Sequence, residues 1–401
     1  MSIFAQRVHR IQPSPSSMAG VRTRKLIAEG RDIVALTNGE PDFATPPNIL
    51  EAASRAMAAG RTKYTDVGGT PELREAVRHK FSRENGLSYR QDEVVVGTGG
   101  KQVVFNALMC TVEAGCEVII PAPYWVSYPD IVLLAGGKPV FVDCPEARGF
   151  KLQPEDLERA ITPSTRWLIL NAPNNPSGAI YRREELRALA DVLLRHPHVW
   201  VLTDDMYEHV IYDGLAFHTI AQVEPALQER TLTVNGVSKA YAMTGWRIGY
   251  GGGPAPLIAQ MVKMQSHSTS NPSSVGQAAA VEALLGPQDF IAERCAIFQA
   301  RRDFVVAQLR ACPGLDSHLP EGAFYAFPSC AELIGRKTPQ GRTIASDSDL
   351  VMYLLDEVNL AVLQGAAYGS SPYFRLSYAS SMPELEEGAR RLRLACERLQ
   401  D

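Results

Sequence analysis

The sequence is organised around the stretch TLTVNGVSKAYAMTGWRIGY, residues 231–250. Its first four residues are β-branched or aliphatic and predict a strand, which the pair Asn235-Gly236 is expected to end in a turn. Lys239 therefore follows a strand end, and Arg247 lies in a segment that is apolar enough to be buried. Because no acidic residue occurs from residue 231 to residue 253, two buried cations predict a bound anion such as phosphate. A desolvated lysine beside a second cation has a lowered pKa, and its neutral amine can attack an aldehyde.

Composition and charge limit the class of protein. With 401 residues, of which 45% are hydrophobic and 21% charged, the chain predicts a soluble globular protein of at least two domains. A net charge of −4 argues against a nucleic-acid partner. The seven cysteines form no CxxC pair, so we expect reduced thiols rather than a zinc site or a disulfide framework. Without a signal peptide or an apolar run of about 18 residues, we expect a cytoplasmic protein and no membrane contact.

Strands and helices alternate from about residue 93 to residue 234, which indicates an α/β fold with a mostly parallel sheet. Helices are predicted at 71–85 and 183–195, among others. Five predicted strands are followed by groups that can bind a ligand: the turn GTGGK at 97–101, Trp125, Asn175, Asp204 with Tyr207, and Lys239. Ligands bind such sheets at the carboxyl ends of the strands, so these groups should converge there. The glycine turn opens a helix that can hold an anion, but its spacing is neither a Walker A motif nor a dinucleotide fingerprint.

The character of the sequence changes near residue 286. A long charged helix, short strands and a closing helix predict an α+β fold for the rest of the chain. We expect three parts: an N-terminal arm and small-domain segment at 1–40, a large ligand-binding domain at 41–285 and a small C-terminal domain at 286–401. Arg375 stands in the apolar strand FRLSY, residues 374–378. It points either inward to a carboxylate or outward as an edge charge, and the pattern does not choose between them.

Taken together, these groups describe the chemistry of one ligand. They comprise a lysine nucleophile, an arginine and a glycine turn for phosphate, an aromatic plane, an acid, a phenol and an amide. A phosphorylated aromatic aldehyde satisfies all of them, and pyridoxal 5′-phosphate (PLP) is such a molecule. A PLP site pairs the lysine that bonds to the aldehyde with an acid at the ring nitrogen.

Seven short motifs occur along the chain in this order: GEPDF (39–43), TKY (62–64), GGK (99–101), NNPSG (174–178), DDMY (204–207), SKAYAMTGWRIG (238–249) and FRLSY (374–378). With them the chain resembles class I (fold type I) PLP-dependent aminotransferases over nearly its whole length. It is most similar to the branch of bacterial aspartate aminotransferases that includes prephenate aminotransferases. The resemblance implies a large PLP-binding domain with a mostly parallel sheet, a small α+β domain and a homodimer with shared active sites. It also implies a transaminase that moves an amino group from an amino acid to a 2-oxo acid by a ping-pong mechanism.

The resemblance assigns roles to individual residues around the cofactor. Lys239 would bond to PLP and carry a proton between Cα and C4′, and Asp204 would pair with the protonated ring nitrogen. Asn175 and Tyr207 would hydrogen-bond the ring's 3-oxygen, and Trp125 would stack on the ring. The phosphate would be held by the turn Gly99-Gly100-Lys101, by Ser238, by Arg247 and by Tyr64 reaching from the partner subunit.

The same resemblance implies how a substrate is held. The α-carboxylate would lie against Arg375, Asn175, Trp125 and the Gly39 backbone. Lys101 would reach the distal carboxylate of a dicarboxylic substrate, with the hydroxyls of Ser14 and Ser16 nearby. This favours aspartate, glutamate and their 2-oxo acids, such as 2-oxoglutarate. Lys101 could instead merely begin its helix and point to solvent.

Other specificities and reactions stay open from the sequence. The segment LQGAAY (363–368) lacks the branch's usual Pro-Gly pair, and Asn271 stands where the branch has Ser or Thr. Both positions commonly affect specificity, so a broader, aromatic, prephenate or other non-dicarboxylic substrate is an alternative. The same cofactor chemistry also serves C–S lyases, racemases and aminocyclopropane-forming synthases. A DNA-binding regulator is disfavoured, because only about 30 residues precede the first sheet strand, too few for a winged helix.

Overall fold

A computed structural model describes residues 3–13 and 15–400 of the chain, without the side chains of residues 15 and 16. The expected hydroxyls of Ser14 and Ser16 therefore lie outside the described residues.

The strands are β1 (Val34–Ala35), β2 (Val94–Thr98), β3 (Glu117–Ala122), β4 (Lys138–Asp143), β5 (Thr165–Asn171), β6 (Trp200–Asp204), β7 (Thr231–Gly236), β8 (Ile248–Gly252), β9 (Tyr325–Ala326), β10 (Leu360–Ala361), β11 (Leu363–Gln364) and β12 (Phe374–Ser377). The α-helices are α1 (Pro15–Ala28), α2 (Pro47–Ala58), α3 (Pro71–Asn85), α4 (Gly100–Thr111), α5 (Ser127–Ala135), α6 (Pro154–Ala160), α7 (Arg183–Arg195), α8 (Ile220–Val223), α9 (Ala255–Ser266), α10 (Ser274–Leu285), α11 (Asp289–Arg310), α12 (Asp347–Val358) and α13 (Met382–Glu397).

Strands β2 to β8 form one seven-stranded sheet in the order β2-β8-β7-β6-β5-β3-β4. Within this sheet β8 runs antiparallel to both of its neighbours, and the other pairs are parallel. The expected mostly parallel α/β sheet is confirmed. The carboxyl ends of β2, β3, β5, β6 and β7 consequently meet at the same edge of the sheet.

Helices cover both faces of this sheet, because successive side chains of a strand point to opposite faces. Val94 and Val96 lie in a core shared with α2, α3 and α10, whereas Val95 lies in the opposite core under α4, α5 and α9. Burial on both faces explains why these strands are continuous aliphatic runs rather than alternating ones.

Two smaller sheets lie beside the central one. Strands β9, β11 and β12 form a sheet in the order β11-β12-β9, and β1 pairs in parallel with β10, placing Val34 opposite Leu360. The division of the chain at residues 40 and 286 stays a prediction. It is supported by the pairing of β1 with a strand from the C-terminal part of the chain.

The predicted turn at Asn235-Gly236 is wrong, since β7 continues through both residues and pairs them with Tyr250 and Gly249. The Asn235 side chain donates to the buried carboxylate of Glu208. A Cβ on Gly236 would lie 3.1 Å from Cα of Gly249, so glycine on both strands permits this close pairing.

Among the short strands expected after residue 286, β9 spans only Tyr325–Ala326. The N–H groups of Glu321 and Gly322 donate instead to the carbonyl of Gly178, at 3.1 and 2.9 Å. This backbone therefore joins the loop after β5 rather than a sheet. Among the helices of the described residues, none has the length and apolar character needed to cross a membrane.

Candidate active site

A cavity of about 520 Å³ opens at the carboxyl ends of the central strands. It contains most of the residues singled out from the sequence: Gly39, Gly100, Lys101, Trp125, Asn175, Asp204, Tyr207, Ser238, Lys239, Arg247 and Arg375. Gly99 lies directly beside it, against Arg247. Tyr64 does not reach this cavity, and its side chain is 90% exposed on another surface.

Lys239 follows β7, and its amine points into the cavity. Nζ donates to the carbonyl of Gly39 at 2.5 Å and lies 5.8 Å from the centre of the Tyr207 ring. Burial, and then the positive charge of Arg375, lowers the pKa of this lysine to about 8. With this pKa, about a tenth of the amine is neutral at pH 7, far more than for an exposed lysine, and this neutral amine can act as a nucleophile or proton acceptor.

Asp204 ends β6 and is buried. Its Oδ2 accepts a hydrogen bond from the phenol of Tyr128 at 2.7 Å, and its carbonyl accepts one from Asn171 at 2.8 Å. Oδ1 is buried and has no hydrogen-bond partner among residues 3–13 and 15–400. Burial raises the pKa of this acid. A positively charged N–H group placed at Oδ1 would satisfy the oxygen and favour its ionised form.

Arg375 points inward. Of the two orientations that the strand pattern left open, the outward one, as an edge charge, is therefore wrong. Its guanidinium donates to the Asn175 side chain at 2.9 Å and to the Thr37 carbonyl at 2.7 Å, and it lies 4.2 Å from the centre of the Tyr325 ring. Its buried Nε has no partner in the described part of the chain. The group therefore keeps free N–H donors in a fixed plane, as carboxylate binding requires.

The phenol of Tyr207 is buried beside Asp204 and shares a hydrogen bond of 2.8 Å with the phenol of Tyr325. Burial raises the pKa of Tyr207 well above its ordinary value, so the phenol keeps its proton and can donate it to a ligand oxygen. Tyr128, Thr37 and Tyr325 are site residues that the sequence did not single out. Nothing near them in the chain marks them, since their partners come from distant strands.

Arg247 is exposed at the rim of the cavity, and its predicted burial is wrong. It follows a short 3₁₀ turn at Thr244–Trp246 in the left-handed region (φ 57°), which turns its side chain back along the sheet edge. Its guanidinium donates to the carbonyls of Thr244 and Thr98, at 3.0 and 3.4 Å. It has no ion pair among the described residues, so it is available to an anion.

The glycine turn before α4 lies against this arginine. Gly99 has φ 81°, and a Cβ there would lie 2.4 Å from the Arg247 guanidinium. A Cβ on Gly249 would lie 2.1 Å from the backbone nitrogen of Gly100. Glycines at these positions allow the helix N-terminus, the arginine and the sheet to come together into a cradle that can hold a phosphate.

Two further cations stand at the mouth of the cavity. Nζ of Lys101 lies 4.8 Å from the centre of the Trp125 ring. Arg24 of α1 lines the same mouth. In the chain as described, neither has a carboxylate partner.

Two segments of the sequence depart from the branch, and they lie differently. Asn271 does not line the cavity, whereas Tyr368 packs 5.2 Å from the Arg375 guanidinium.

These groups fit PLP. The partnerless oxygen of Asp204 can receive a ring N–H, the Trp125 ring offers a stacking face, and the glycine cradle with Arg247 can receive a phosphate.

Comparison with known proteins gives the same answer. The profile of the aminotransferase class I and II family matches residues 31–392. An aspartate aminotransferase of Rhizobium meliloti (strain 1021) is 55% identical over 395 residues, covering 98% of this chain and 96% of the relative. An aspartate/prephenate aminotransferase of Cereibacter sphaeroides is 54% identical over 396 residues, covering 99% of each.

Solved structures agree in fold. The crystal structure of the Rhizobium meliloti aspartate aminotransferase superposes with a TM-score of 0.97, at 55% identity and full coverage of both chains. The Thermus thermophilus aspartate aminotransferase with maleate superposes with a TM-score of 0.92, at 40% identity, covering 98% of this chain and all of that one. The chain therefore belongs to the aminotransferase class I and II family, as a fold type I transaminase that uses pyridoxal phosphate.

Proposed function

We propose that the protein transfers the amino group of a dicarboxylic amino acid, foremost aspartate, to a 2-oxo acid such as 2-oxoglutarate. The two half-reactions would follow one another in the same cavity, as a ping-pong mechanism requires. The observation that carries this proposal is the set of buried groups around Lys239, in which Asp204 and Arg375 line one cavity and each keep a buried atom without a partner among the described residues. An acid for a ring nitrogen and an arginine for a carboxylate are the two fixed points that transamination needs.

Lys239 is the proposed proton carrier. When bound, PLP supplies an aldehyde for the amino group and an electron-withdrawing ring that acidifies the substrate's Cα–H. Nζ of Lys239, with its lowered pKa, can accept the Cα proton and return it, because its neutral form is far more abundant near neutral pH than that of an exposed lysine. Asp204 would hold the proton of the ring nitrogen. Tyr207 and Asn175 would donate to the ring's 3-oxygen.

Arg375 is the proposed ligand of the substrate's α-carboxylate. Of its five N–H groups, those bonded to Asn175 and Thr37 fix the plane of the guanidinium. The remaining groups, including Nε, can bind two carboxylate oxygens side by side. The Asn175 amide and the backbone of Gly39 complete this part of the site, and Trp125 lines the same cavity.

The phosphate-binding groups are proposed to be the Gly99-Gly100-Lys101 backbone, Ser238 and Arg247. Tyr64 would join them from a second subunit, which is why we propose a homodimer. Its 90% exposure leaves the phenol available for such a role. We also infer that the protein works in the cytoplasm, and its seven free cysteines support a reducing compartment.

The distal carboxylate is proposed to lie between Lys101 and Arg24. These cations have no acidic partner among the described residues, and both line the same cavity as Arg375. Maleate, bound in the Thermus thermophilus structure, is itself a dicarboxylate. Prephenate, which appears in the name of the Cereibacter sphaeroides relative, also carries a second carboxylate and is a further candidate acceptor at this same site.

A panel of amino donors tests the substrate, with transfer followed as loss of the visible absorbance of lysine-bound PLP. We expect aspartate and glutamate to react faster than alanine, arginine or aromatic donors. Lys101→Ala should lower kcat/KM for aspartate by about 10- to 100-fold and that for alanine by less than about threefold, because only aspartate has a second carboxylate. Lys25→Ala, on the same helix as Arg24 but outside the cavity, is the control and should change neither. A faster reaction with alanine or an aromatic donor would contradict the dicarboxylate proposal.

A further inference from the structure

A second polar cluster lies inside the protein behind the cavity. Lys80 of α3 is completely buried. Its amine forms an ion pair with the buried carboxylate of Glu208 and donates to the side chain of Asn85 at 2.7 Å. A charged lysine in such a place is tolerated only with a partner of opposite charge. None of these three residues lines the cavity, so the cluster is separate from the ligand-binding groups.

The carboxylate of Glu208 joins three parts of the chain. Oε1 also accepts from the Asn235 side chain at 2.8 Å, and Oε2 accepts from Asn85 at 2.7 Å. Asn235 lies in β7, four residues before Lys239, whereas Glu208 directly follows Tyr207. One carboxylate thus links α3, the strand that leads to Lys239 and the segment that carries Asp204 and Tyr207.

Charge in the cluster is nearly balanced by Lys80. Burial opposes ionisation of Glu208, but the positive charges of Lys80 and His209 and the hydrogen bonds from Lys80 and Asn85 together outweigh it, so the pKa of this carboxyl lies below its ordinary value. Glu84 lies on the other side of the amine, with Oε2 3.5 Å from Nζ of Lys80 and 2.9 Å from Nε2 of His209. Without Lys80, Glu84 would still pair with Arg83 and His209, whereas Glu208 would be left with the amides of Asn85 and Asn235 and with His209 at 3.8 Å.

Glu208 is one of several groups that hold the segment of residues 204–208, together with the bonds of Asp204 to Tyr128 and of Tyr207 to Tyr325. Residues 205–208 belong to neither a helix nor a strand. Their backbone bonds include Asp205 N–H to the Val234 carbonyl at 2.9 Å and Glu208 N–H to the Asp205 carbonyl at 3.0 Å. A displacement of about 1 Å in a catalytic group can cost about 100-fold in rate, so a further fixed point at Glu208 has consequences for the site.

We propose that Lys80 is a positioning residue for the reaction, because its ion pair with Glu208 fixes Asp204 and Tyr207 relative to Lys239. The proposal rests on the proposed function, in which those three residues act on the cofactor. Lys80 itself touches neither cofactor nor substrate.

Three variants test this role. Lys80→Met leaves Glu208 buried without its partner. Lys80→Met combined with Glu208→Leu removes both charges and the bond to Asn235. Arg302→Met is the control, because Arg302 is equally buried, with 2% of its side chain exposed, and ion-paired to Asp213 outside the cavity. Each is measured by thermal unfolding of the PLP-free protein, by steady-state kinetics with aspartate, and by the pH midpoint at which the visible absorbance of lysine-bound PLP changes.

We expect Lys80→Met to unfold at a lower temperature and to shift the absorbance midpoint by about half a pH unit or more, because a displaced Tyr207 or Asp204 would change the charges and hydrogen bonds around the lysine-bound cofactor. Its kcat should fall about tenfold or more while KM changes less than about threefold. The double variant should regain thermal stability, because it leaves no buried charge unpaired, yet keep the shifted midpoint and the low kcat. Arg302→Met should lose stability only.

A double variant with the wild-type midpoint and kcat would overturn the proposal. Lys80 would then affect only the stability of the protein or act only through the electric field of its charge. This outcome can be measured even where Lys80→Met alone fails to fold, because the double variant carries no unpaired charge. Failure of the proposed function gives a different result. The wild-type protein itself would then have no PLP absorbance that depends on Lys239, so Lys239→Ala would cause no loss of absorbance.

Discussion

Several groups around Lys239 act together on the pKa of its amine, and no single neighbour in the sequence accounts for the result. Burial lowers its pKa, and the charges of Arg375 and Arg247 lower it further, while Glu40 and Asp204 act in the opposite direction. The net result is a pKa of about 8. This lysine is thereby suited to alternate between a nucleophile and a proton carrier.

The lowered pKa of Lys239 predicts a pH-dependent contribution to stability. Between pH about 8 and its ordinary pKa of 10.5, the unfolded chain holds a proton on this amine that the folded chain lacks. The free energy of unfolding therefore rises with pH across this window, and the contribution is constant below it. Urea unfolding of the PLP-free protein should show the wild type gaining stability relative to Lys239→Met as the pH rises. A constant difference between the two proteins would contradict the lowered pKa.

Asp204→Asn should keep PLP bound but reduce kcat by about 1,000-fold or more, because an amide cannot hold the proton on the ring nitrogen. Tyr128→Phe removes only one hydrogen bond to this acid and should cost about three- to tenfold. Absorbance at saturating PLP checks binding, and steady-state rates check catalysis. Near-normal turnover in Asp204→Asn would refute the role given to this acid.

The sequence predicted some site residues and missed others for a physical reason. Lys239 and Asp204 each follow their own strand, so local pattern and strand order suffice to bring them together. Tyr128 reaches Asp204 across 76 residues, and Tyr325 reaches Tyr207 across 118. Such contacts depend on packing between elements, which periodicity does not encode.

At the scale of elements, the site depends on how closely helix α4 approaches strand β8. Gly249 of β8 lies against the backbone of Gly100, and Gly99 lies against Arg247. Side chains at these positions would separate the helix N-terminus from the sheet. The anion site therefore depends on direct backbone contact between α4 and β8, with no side chain between them.

Gly249→Ala should destabilise the protein by about 2 kcal/mol or more and weaken PLP binding, because its Cβ would lie 2.1 Å from the nitrogen of Gly100. Gly245→Ala is the matched control, since nothing lies within 4 Å of a Cβ there. It should change stability by less than about 0.5 kcal/mol. Urea unfolding and PLP titration measure both effects, and equal behaviour of the two variants would show that the contact is not tight.

Element boundaries were predictable where the chain carries local signals. Helix α3 spans Pro71–Asn85 as expected, because Thr70 caps its first turn and Gly86 ends it in a left-handed conformation. Strand β8, Ile248–Gly252, was not predicted, since three of its five residues are glycine and give no alternation. The pair Asn235-Gly236 wrongly predicted a turn, because the hydrogen bond from the Asn235 side chain to Glu208 favours the strand instead.

At the scale of the whole molecule, alternating strands and helices were enough to predict the sheet and its binding edge. The pairing of β1 with β10 was not predicted, because two-residue strands more than 300 positions apart leave no pattern. The proposed second subunit belongs to this scale as well, since Tyr64 lies outside its own cavity.

Mixing of two inactive variants tests the shared site. Tyr64→Ala should bind PLP weakly, and Lys239→Ala should not turn over. In a mixed dimer, one of the two sites combines an intact Lys239 with an intact Tyr64 from the other chain. Random mixing should therefore restore about a quarter of wild-type activity at limiting PLP. If Tyr64 acted within its own chain, or the protein were an active monomer, mixing would restore nothing.

The small strand pair β1–β10 affects how the protein is made. Thr37 and Gly39, whose carbonyls receive Arg375 and Lys239, follow β1 directly, and β1 pairs with residues 360–361. During synthesis, the first part of this pocket must wait for one of the last segments to leave the ribosome. We expect nascent chains that end before residue 360 to bind no PLP, however well their central sheet has folded.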